Sequence, residues 1–113
     1  MKKLMLSMLL VVSASPAFAM ASPIGNWRTA DGKATVHIRR CGRADLCAST
    51  GGKTVFHPMR PAGRNLWAGT ILDARSGDKY DGQISLVSPD ALKVHGCFPG
   101  GGMCGDQTWM RVR

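Results

Sequence analysis

The chain has 113 residues, of which 15 are Lys or Arg and 7 are acidic, and its formal net charge at pH 7 is +8. All seven acidic residues are aspartates, so glutamate, a frequent general acid or base, is absent. The chain also lacks the short motifs of serine hydrolases, zinc proteases, phosphate-binding loops and thioredoxins. These features argue against most enzyme classes, and we expect a non-enzymatic protein without a cofactor.

The first nineteen residues have the pattern of a secretory signal peptide. Two lysines precede an apolar run over residues 4–12, and residues 17–19 have the A-x-A form that signal peptidase recognises. The run is too short for a permanent transmembrane helix, and no later stretch is apolar enough for one. We therefore predict cleavage after Ala19 and a soluble, periplasmic or secreted protein of one domain, residues 20–113, without a transmembrane segment.

From residue 25 onward, apolar and polar residues alternate with the period of two that is typical of half-buried β-strands. Val36 and Ile38, for example, share the inward face, and His37 lies on the other. Turn-forming pairs such as Asp31-Gly32 recur between these segments at the spacing of β-hairpins. The pattern predicts an all-β fold, a sandwich or barrel of seven or eight short antiparallel strands. The predicted strands cover residues 25–29, 35–39, 53–57, 66–72, 79–86, 92–95 and 107–112.

Four cysteines follow the predicted signal peptide, and an even number in a small exported chain indicates two disulfides. Three pairings are possible. We favour Cys41–Cys47 and Cys97–Cys104, because each couple brackets a turn-like segment whose ends a disulfide would join. Each bond would close a short loop and contribute roughly 2–2.5 kcal/mol on the chain-entropy account.

Zinc is the alternative use of these cysteines. The spacings C-x5-C and C-x6-C differ from the tight spacings of structural zinc sites, so we expect no metal. The histidines available as further ligands are His37, His57 and His95.

The positive charge persists after signal cleavage, because 13 basic residues then face 7 aspartates, a net charge of +6. Outside the cytoplasm, such a charge favours lipid phosphates, lipopolysaccharide, anionic glycans or acidic proteins as partners rather than nucleic acid. The alternative is that the charge only keeps a small, monomeric domain soluble. Five arginines are candidates for a cationic patch: Arg39, Arg40, Arg43, Arg60 and Arg64.

A Gly-x-Trp motif, Gly25-Asn26-Trp27, opens the predicted strand region, and Arg111 lies in the last predicted strand. The combination resembles lipocalin-like barrels, in which a tryptophan on the first strand lies under an arginine from the last. The resemblance implies that the Arg111 guanidinium rests on the Trp27 indole and plugs one end of a barrel.

A longer series of motifs covers nearly the whole chain after residue 24. The motifs are Gly25-x-Trp27, Asp31-Gly32, Cys41 to Leu46-Cys47, Trp67-x-Gly69-x-Ile71-x-Asp73, Gly77-x-x-Tyr80, Leu92-x-Val94-x-Gly96 and Gln107-Thr108-Trp109-x-Arg111. Their order and spacing resemble an exported bacterial family catalogued as domain of unknown function 2147. The resemblance implies a small lipocalin-like β-barrel and supplies no catalytic residue.

The chain departs from the pattern of that family in three places. Ala48 stands where a glycine usually follows the second cysteine, and the segment 49–65 is shorter than in the family. Cys97 and Cys104 form an additional pair. A ligand site built from the middle segment in relatives would therefore be altered here.

A ligand site is expected at the open end of the barrel, away from the Trp27–Arg111 contact, with the segment from Lys53 to Arg64 as its rim. Trp67 would be a wall residue there or, alternatively, ordinary core. The candidate rim residues are His57, Arg60, Arg64, Trp67 and Tyr80.

Three hypotheses for function follow. The first is a binding or envelope-accessory protein for an unknown small ligand, and the second is a cationic surface protein for anionic envelope polymers. The third is a small enzyme. A lysozyme inhibitor is a lesser alternative, since residues 76–80 resemble a loop of periplasmic inhibitors of C-type lysozyme, which are also small disulfide-bearing barrels.

Overall fold

The computed structural model describes residues 21–113, and the predicted signal peptide with its cleavage site lies outside this range. Eight β-strands make up the described part, in which no helix is long and apolar enough to cross a membrane. The strands are β1 (Gly25–Arg28), β2 (Thr35–Arg40), β3 (Leu46–Thr50), β4 (Lys53–Gly63), β5 (Leu66–Leu72), β6 (Lys79–Ser88), β7 (Ala91–Cys97) and β8 (Cys104–Arg111).

Each strand pairs with the next in antiparallel orientation, and β8 returns to pair with β1, so the sheet closes into an up-and-down barrel. The closing seam is short and joins Trp27 to Arg111 and Arg28 to Met110. Closure pairs the two strands that would be the free edges of an open sheet. The all-β antiparallel fold predicted from the alternation is confirmed, and of the two alternatives, sandwich or barrel, the structure has the barrel that the resemblance implied.

The turns divide between the two ends of the barrel. At one end, here called the closed end, lie the turns 41–45, 64–65 and 89–90 together with the segments 21–24 and 112–113. At the other, here called the open end, lie the connections 29–34, 51–52, 73–78 and 98–103. The eight-residue to eleven-residue strands β4, β6 and β8 run between the two.

The sequence pattern does not predict β3 as a strand. Its five residues carry only two fully inward side chains, Leu46 and Ala48, directly after a cysteine-bracketed turn. Both are buried, and β3 pairs with β2 on one side and β4 on the other. Tertiary pairing therefore supplies the strand that a weak alternation alone does not indicate.

β4 extends from Lys53 to Gly63, whereas the pattern predicts a strand that ends at His57. Pro58 lies within β4 and lacks a backbone N–H for the ladder. The register between β4 and β5 shifts in this region, so that a bulge replaces regular pairing around the proline. The segment that we expected to form a rim at the open end instead runs along the wall to the closed end.

The core lies mainly in the closed-end half of the barrel. No polar or charged residue within residues 21–113 is buried, so the core consists of hydrophobic side chains. Trp67 is partly buried and packs against the core, which agrees with the second of its two predicted roles. The buried residues are Trp27, Val36, Ile38, Leu46, Ala48, Val55, Phe56, Met59, Ile84, Leu86, Leu92, Val94 and Trp109.

Both predicted disulfides are present. Cys41–Cys47 joins the two sides of the turn at the closed end between β2 and β3. Cys97–Cys104 joins the register partners at the base of the β7–β8 hairpin at the open end. Because all four cysteines are in disulfides, they offer no thiolates, and the zinc alternative loses its sulfur ligands.

Candidate ligand-binding site

The closed end is sealed by Trp27 and Arg111. The Trp27 side chain is fully buried, and its Nε1–H donates a hydrogen bond of 2.8 Å to the carbonyl oxygen of Pro23. The Arg111 guanidinium carbon lies 4.5 Å from the centre of the Trp27 ring, within the range of a cation–π interaction. The contact inferred from the sequence is thus present, and it lies where the segment before β1 crosses the end of the barrel.

Arg111 also donates hydrogen bonds to three backbone carbonyl oxygens, which sequence reasoning missed. Its Nε donates to the oxygen of Pro89 at 2.9 Å, and its two terminal nitrogens donate to Ile24 at 3.0 Å and Ser22 at 2.6 Å. Its side chain is only 16% exposed. One side chain therefore links β8 to the β6–β7 turn and to the segment before β1.

Gly25 makes room for this arrangement. Its φ of +138° is one that side-chain-bearing residues rarely adopt, and a Cβ placed there would lie 2.8 Å from Arg111 Nη1. The two defined residues of the Gly-x-Trp motif therefore have separate structural roles. The tryptophan provides the buried ring, and the glycine leaves space for the guanidinium above it.

The opposite end of the barrel opens into a cavity of about 710 Å³. Its inner wall is mainly apolar, and its mouth lies between the four open-end connections. A volume of this size is in the usual range for small-molecule sites. The apolar lining consists of Val36, Val55, Ile71, Leu72, Tyr80, Val94, Phe98, Met103 and Trp109, with the smaller Ala30, Ala34 and Ala74 near the mouth.

A row of four glycines crosses the wall of this half of the barrel. Gly69, Gly82, Gly96 and Gly105 are register partners on the consecutive strands β5 to β8. Gly82 lies two residues before the buried Ile84 and therefore on the inward face. Gly96 and Gly105 line the cavity and project no side chain into it, whereas Gly82 makes room for the Ile71 side chain and Gly69 packs against Met59.

Two stacked rings close the floor of the cavity. Phe56 on β4 and Trp109 on β8 lie with their ring centres 5.9 Å apart and their planes within 7°. The Trp109 Nε1–H donates to Gln107 Oε1 at 2.8 Å, so its one polar atom is satisfied. The floor separates the filled closed-end half from the hollow open-end half.

Two carboxylates order the connections at the mouth. Asp31 accepts hydrogen bonds from the backbone N–H of Lys33 at 2.9 Å and from the Thr29 hydroxyl at 2.7 Å, which together lower the pKa of the Asp31 carboxyl. Asp73 accepts from the backbone N–H groups of Arg75 at 2.8 Å and Ser76 at 3.2 Å, and these bonds lower its pKa in the same way. Both groups are therefore ionised at neutral pH.

Of the five predicted rim residues, only Tyr80 lines this cavity. His57 and Arg60 lie exposed on β4, and Arg64 lies in the turn at the closed end. Trp67 pairs with Ile84 and packs on the core below the cavity. The placement of these four as rim residues is corrected, because β4 continues as a strand past His57 toward the closed end and the Trp67 side chain packs against the core.

Sequence reasoning missed the lip of the cavity. Phe98 and Met103 flank the turn of the β7–β8 hairpin, line the cavity and are 44% and 76% exposed. The Phe98 ring lies 5.1 Å from that of Tyr80. The available signal was a pair of large apolar residues on both sides of a glycine-rich turn, directly inside a cysteine couple.

Charge is distributed unevenly between the two ends. Within residues 21–113, the closed end carries seven arginines and two aspartates, Asp45 and Asp90, whereas three of the four lysines belong to the open end. Asp90 is paired with Arg111 and Arg113. The other five arginines, which form no salt bridge within the described residues, are the predicted patch: Arg39, Arg40, Arg43, Arg60 and Arg64.

Residues 47–111 match the model of a protein family described as uncharacterized protein conserved in bacteria, DUF2147. The chain belongs to this family. The DUF2147 match runs from β3 through the end of β8, so it includes the glycine row, the cavity lip and Arg111, while Trp27 lies outside it. No curated protein and no solved structure matches the chain.

Proposed function

We propose that this DUF2147 protein is a non-enzymatic binding module that holds a small, largely apolar ligand in the open-end cavity, in the periplasm or outside the cell. The observation that carries the proposal is the 710 Å³ cavity with its apolar wall. Water in such a cavity has few hydrogen-bond partners on the protein, so its replacement by an apolar molecule is favourable. The sealed closed end leaves the mouth as the entrance.

The mouth favours a ligand with a polar end. Asp31 and Asp73 lie there beside Lys33 and Arg75, so that both signs of charge are available at the entrance and none lies at the floor. A ligand would therefore place its apolar part against Trp109 and its polar part at the mouth. This arrangement supports binding of an amphiphilic molecule rather than of an ion.

Gly105→Leu should weaken the binding of a neutral apolar fluorophore, N-phenyl-1-naphthylamine, by at least about tenfold. A Cβ at Gly105 meets no atom within 4 Å, so the new side chain enters the cavity without displacing the wall. Fluorescence titration of the purified protein gives the affinity.

Thr108→Leu is the matched control for this test. Thr108 lies on the same strand but is exposed on the outer face, so an added leucine leaves the cavity unchanged. The proposal fails if the wild-type protein does not bind the fluorophore, or if Gly105→Leu and Thr108→Leu bind it equally well.

A second candidate function is adhesion to an anionic envelope polymer through the closed end. The favouring observation is that the unpaired basic residues there are all arginines, whose planar guanidinium groups suit phosphate and carboxylate groups. Replacing Arg40, Arg43 and Arg64 with glutamine should weaken binding to phosphatidylglycerol vesicles or lipopolysaccharide by about 3 kcal/mol, roughly 100-fold. Co-sedimentation at low and moderate salt provides the measurement.

The matched control replaces Lys33, Lys53 and Lys79 at the open end with glutamine, which gives the same net charge. If the closed end is the contact surface, this variant should retain the wild-type affinity. An equal loss in the two variants would mean that only the overall charge matters, and the closed end would then not be a specific surface.

A further inference from the structure

Four chemically reactive side chains share one patch on the outer face of the barrel. His95 and Cys97 alternate outward on β7, and Cys104 and Asp106 do so on β8. The register pairs His95 with Asp106 and Cys97 with Cys104. The result is a two-by-two patch in which a disulfide lies beside a histidine–aspartate pair, and Cys104 and Asp106 also border the cavity.

His95 is oriented toward the sulfur of Cys97. Its Nδ1 forms a hydrogen bond with the Asp106 carboxylate, and its Nε2 lies 3.4 Å from Cys97 Sγ. The hydrogen bond from His95, with a smaller contribution from Lys93, lowers the pKa of the Asp106 carboxyl, which is therefore ionised at neutral pH. An ionised Asp106 accepts the Nδ1 proton and leaves the Nε2 lone pair facing the sulfur.

We propose that Cys97–Cys104 is a thiol-exchange site, in which His95 takes up the proton that accompanies cleavage of the disulfide. The partner is a molecule that carries a free thiol. Cys104 is exposed and Cys97 is partly buried, so an external sulfur reaches Cys104 first. Cys97 is then the leaving group, and it is the sulfur that lies against the histidine.

The exchange is balanced as follows. The external sulfur forms a bond with Cys104 Sγ, the Cys97–Cys104 bond breaks, and its electron pair goes to Cys97 Sγ. The proton of the external thiol passes to His95 Nε2, which then donates a hydrogen bond to the leaving Cys97 Sγ. A second external thiol attacks the external sulfur of the mixed disulfide and releases Cys104 as a thiol. Two external thiols are oxidised to one disulfide, and the protein gains two thiols.

Two carboxylates near Cys97 oppose the negative charge that its sulfur gains when the disulfide breaks, so the exchange needs a proton from His95. Asp81 on β6 is the register partner of Cys97, and its carboxylate opposes negative charge on that sulfur. Asp106 adds a second carboxylate, Lys93 lies 3.9 Å from it, and Gln83, the β6 partner of His95, is neutral. A proton on His95 offsets the negative charge that develops on Cys97 when the bond breaks.

The second disulfide of the same molecule serves as an internal reference. Cys41–Cys47 closes a loop of nearly the same length at the other end of the barrel, and within residues 21–113 no histidine contacts it through a hydrogen bond. General loosening of the fold would accelerate exchange at both disulfides. An effect through His95 is confined to Cys97–Cys104.

The test treats the oxidised protein with reduced glutathione and follows the mixed disulfide on Cys104 by quenched peptide mass mapping. His95→Gln should slow its formation roughly tenfold, because a leaving sulfur without a proton donor departs more slowly. His37→Gln is the matched control, since His37 is likewise an outward-facing strand histidine whose Nδ1 forms a hydrogen bond with a side chain, that of Asn26. This control should react at the wild-type rate.

Asp106 is a positioning residue. Two variants at this position test whether it acts by orienting the His95 ring or only by stabilising the fold. Asp106→Asn retains an oxygen that accepts the Nδ1 proton and should keep most of the rate, whereas Asp106→Ala should approach His95→Gln. Exchange at Cys41–Cys47 should be the same in all of these proteins. Equal rates at Cys104 in wild type and His95→Gln, or adducts confined to Cys41 and Cys47, would overturn the proposal.

Discussion

Trp27→Ala should lower the free energy of unfolding by about 3–5 kcal/mol, since it removes the largest fully buried side chain of a small core. Arg111→Ala should cost about 2–4 kcal/mol, because the cation–π contact is lost together with three charged hydrogen bonds to backbone carbonyls. Urea titration of the purified proteins measures both losses.

The double variant Trp27→Ala/Arg111→Ala should be less destabilised than the sum of the two single variants. The contact between the ring and the guanidinium is counted in each single loss but is removed only once in the double variant. Arg113→Ala is the control, because Arg113 lies at the same end and contacts Asp90 but not the indole. Strictly additive losses for Trp27 and Arg111 would contradict the coupling.

Phe56→Ala should lower the free energy of unfolding by about 3–5 kcal/mol. Phe56 is fully buried, and its ring supports Trp109 from below, so its removal leaves a void that joins the cavity. The Trp109 ring loses its stacking partner in the same step. Urea titration gives the loss, and the change in tryptophan fluorescence of the native state reports on Trp109.

Phe98→Ala makes the same chemical change at the lip of the cavity and is the matched control. Phe98 is 44% exposed and its ring lies at a tilt of 43° against that of Tyr80, so its loss should be about 1 kcal/mol or less. Its effect should instead appear in the affinity for an apolar fluorophore. If Phe56→Ala and Phe98→Ala destabilise the protein equally, Phe56 does not support the floor of the cavity.

The candidate site was predictable only in part. Tyr80 was found, because it begins an alternating segment directly after a turn. Phe98 and Met103 were missed, since residues beside a glycine-rich turn show no alternation of apolar and polar residues that would predict whether their side chains face inward or outward. Arg60 and Arg64 were misplaced at the open end, because β4 continues as a strand through the register shift to Gly63 and so brings both arginines to the closed end.

The sequence by itself determined the strand alternation, the all-β antiparallel class, the local disulfide pairs and the contact between Trp27 and Arg111. These follow from periodicity, turn chemistry and residue chemistry, all of which act over a few residues or through one specific pair. Tertiary structure decided which end of the barrel is hollow. Gly96 and Gly105 lie on different strands, and only the register of β7 with β8 places them side by side in the wall of the cavity, where neither projects a side chain into it.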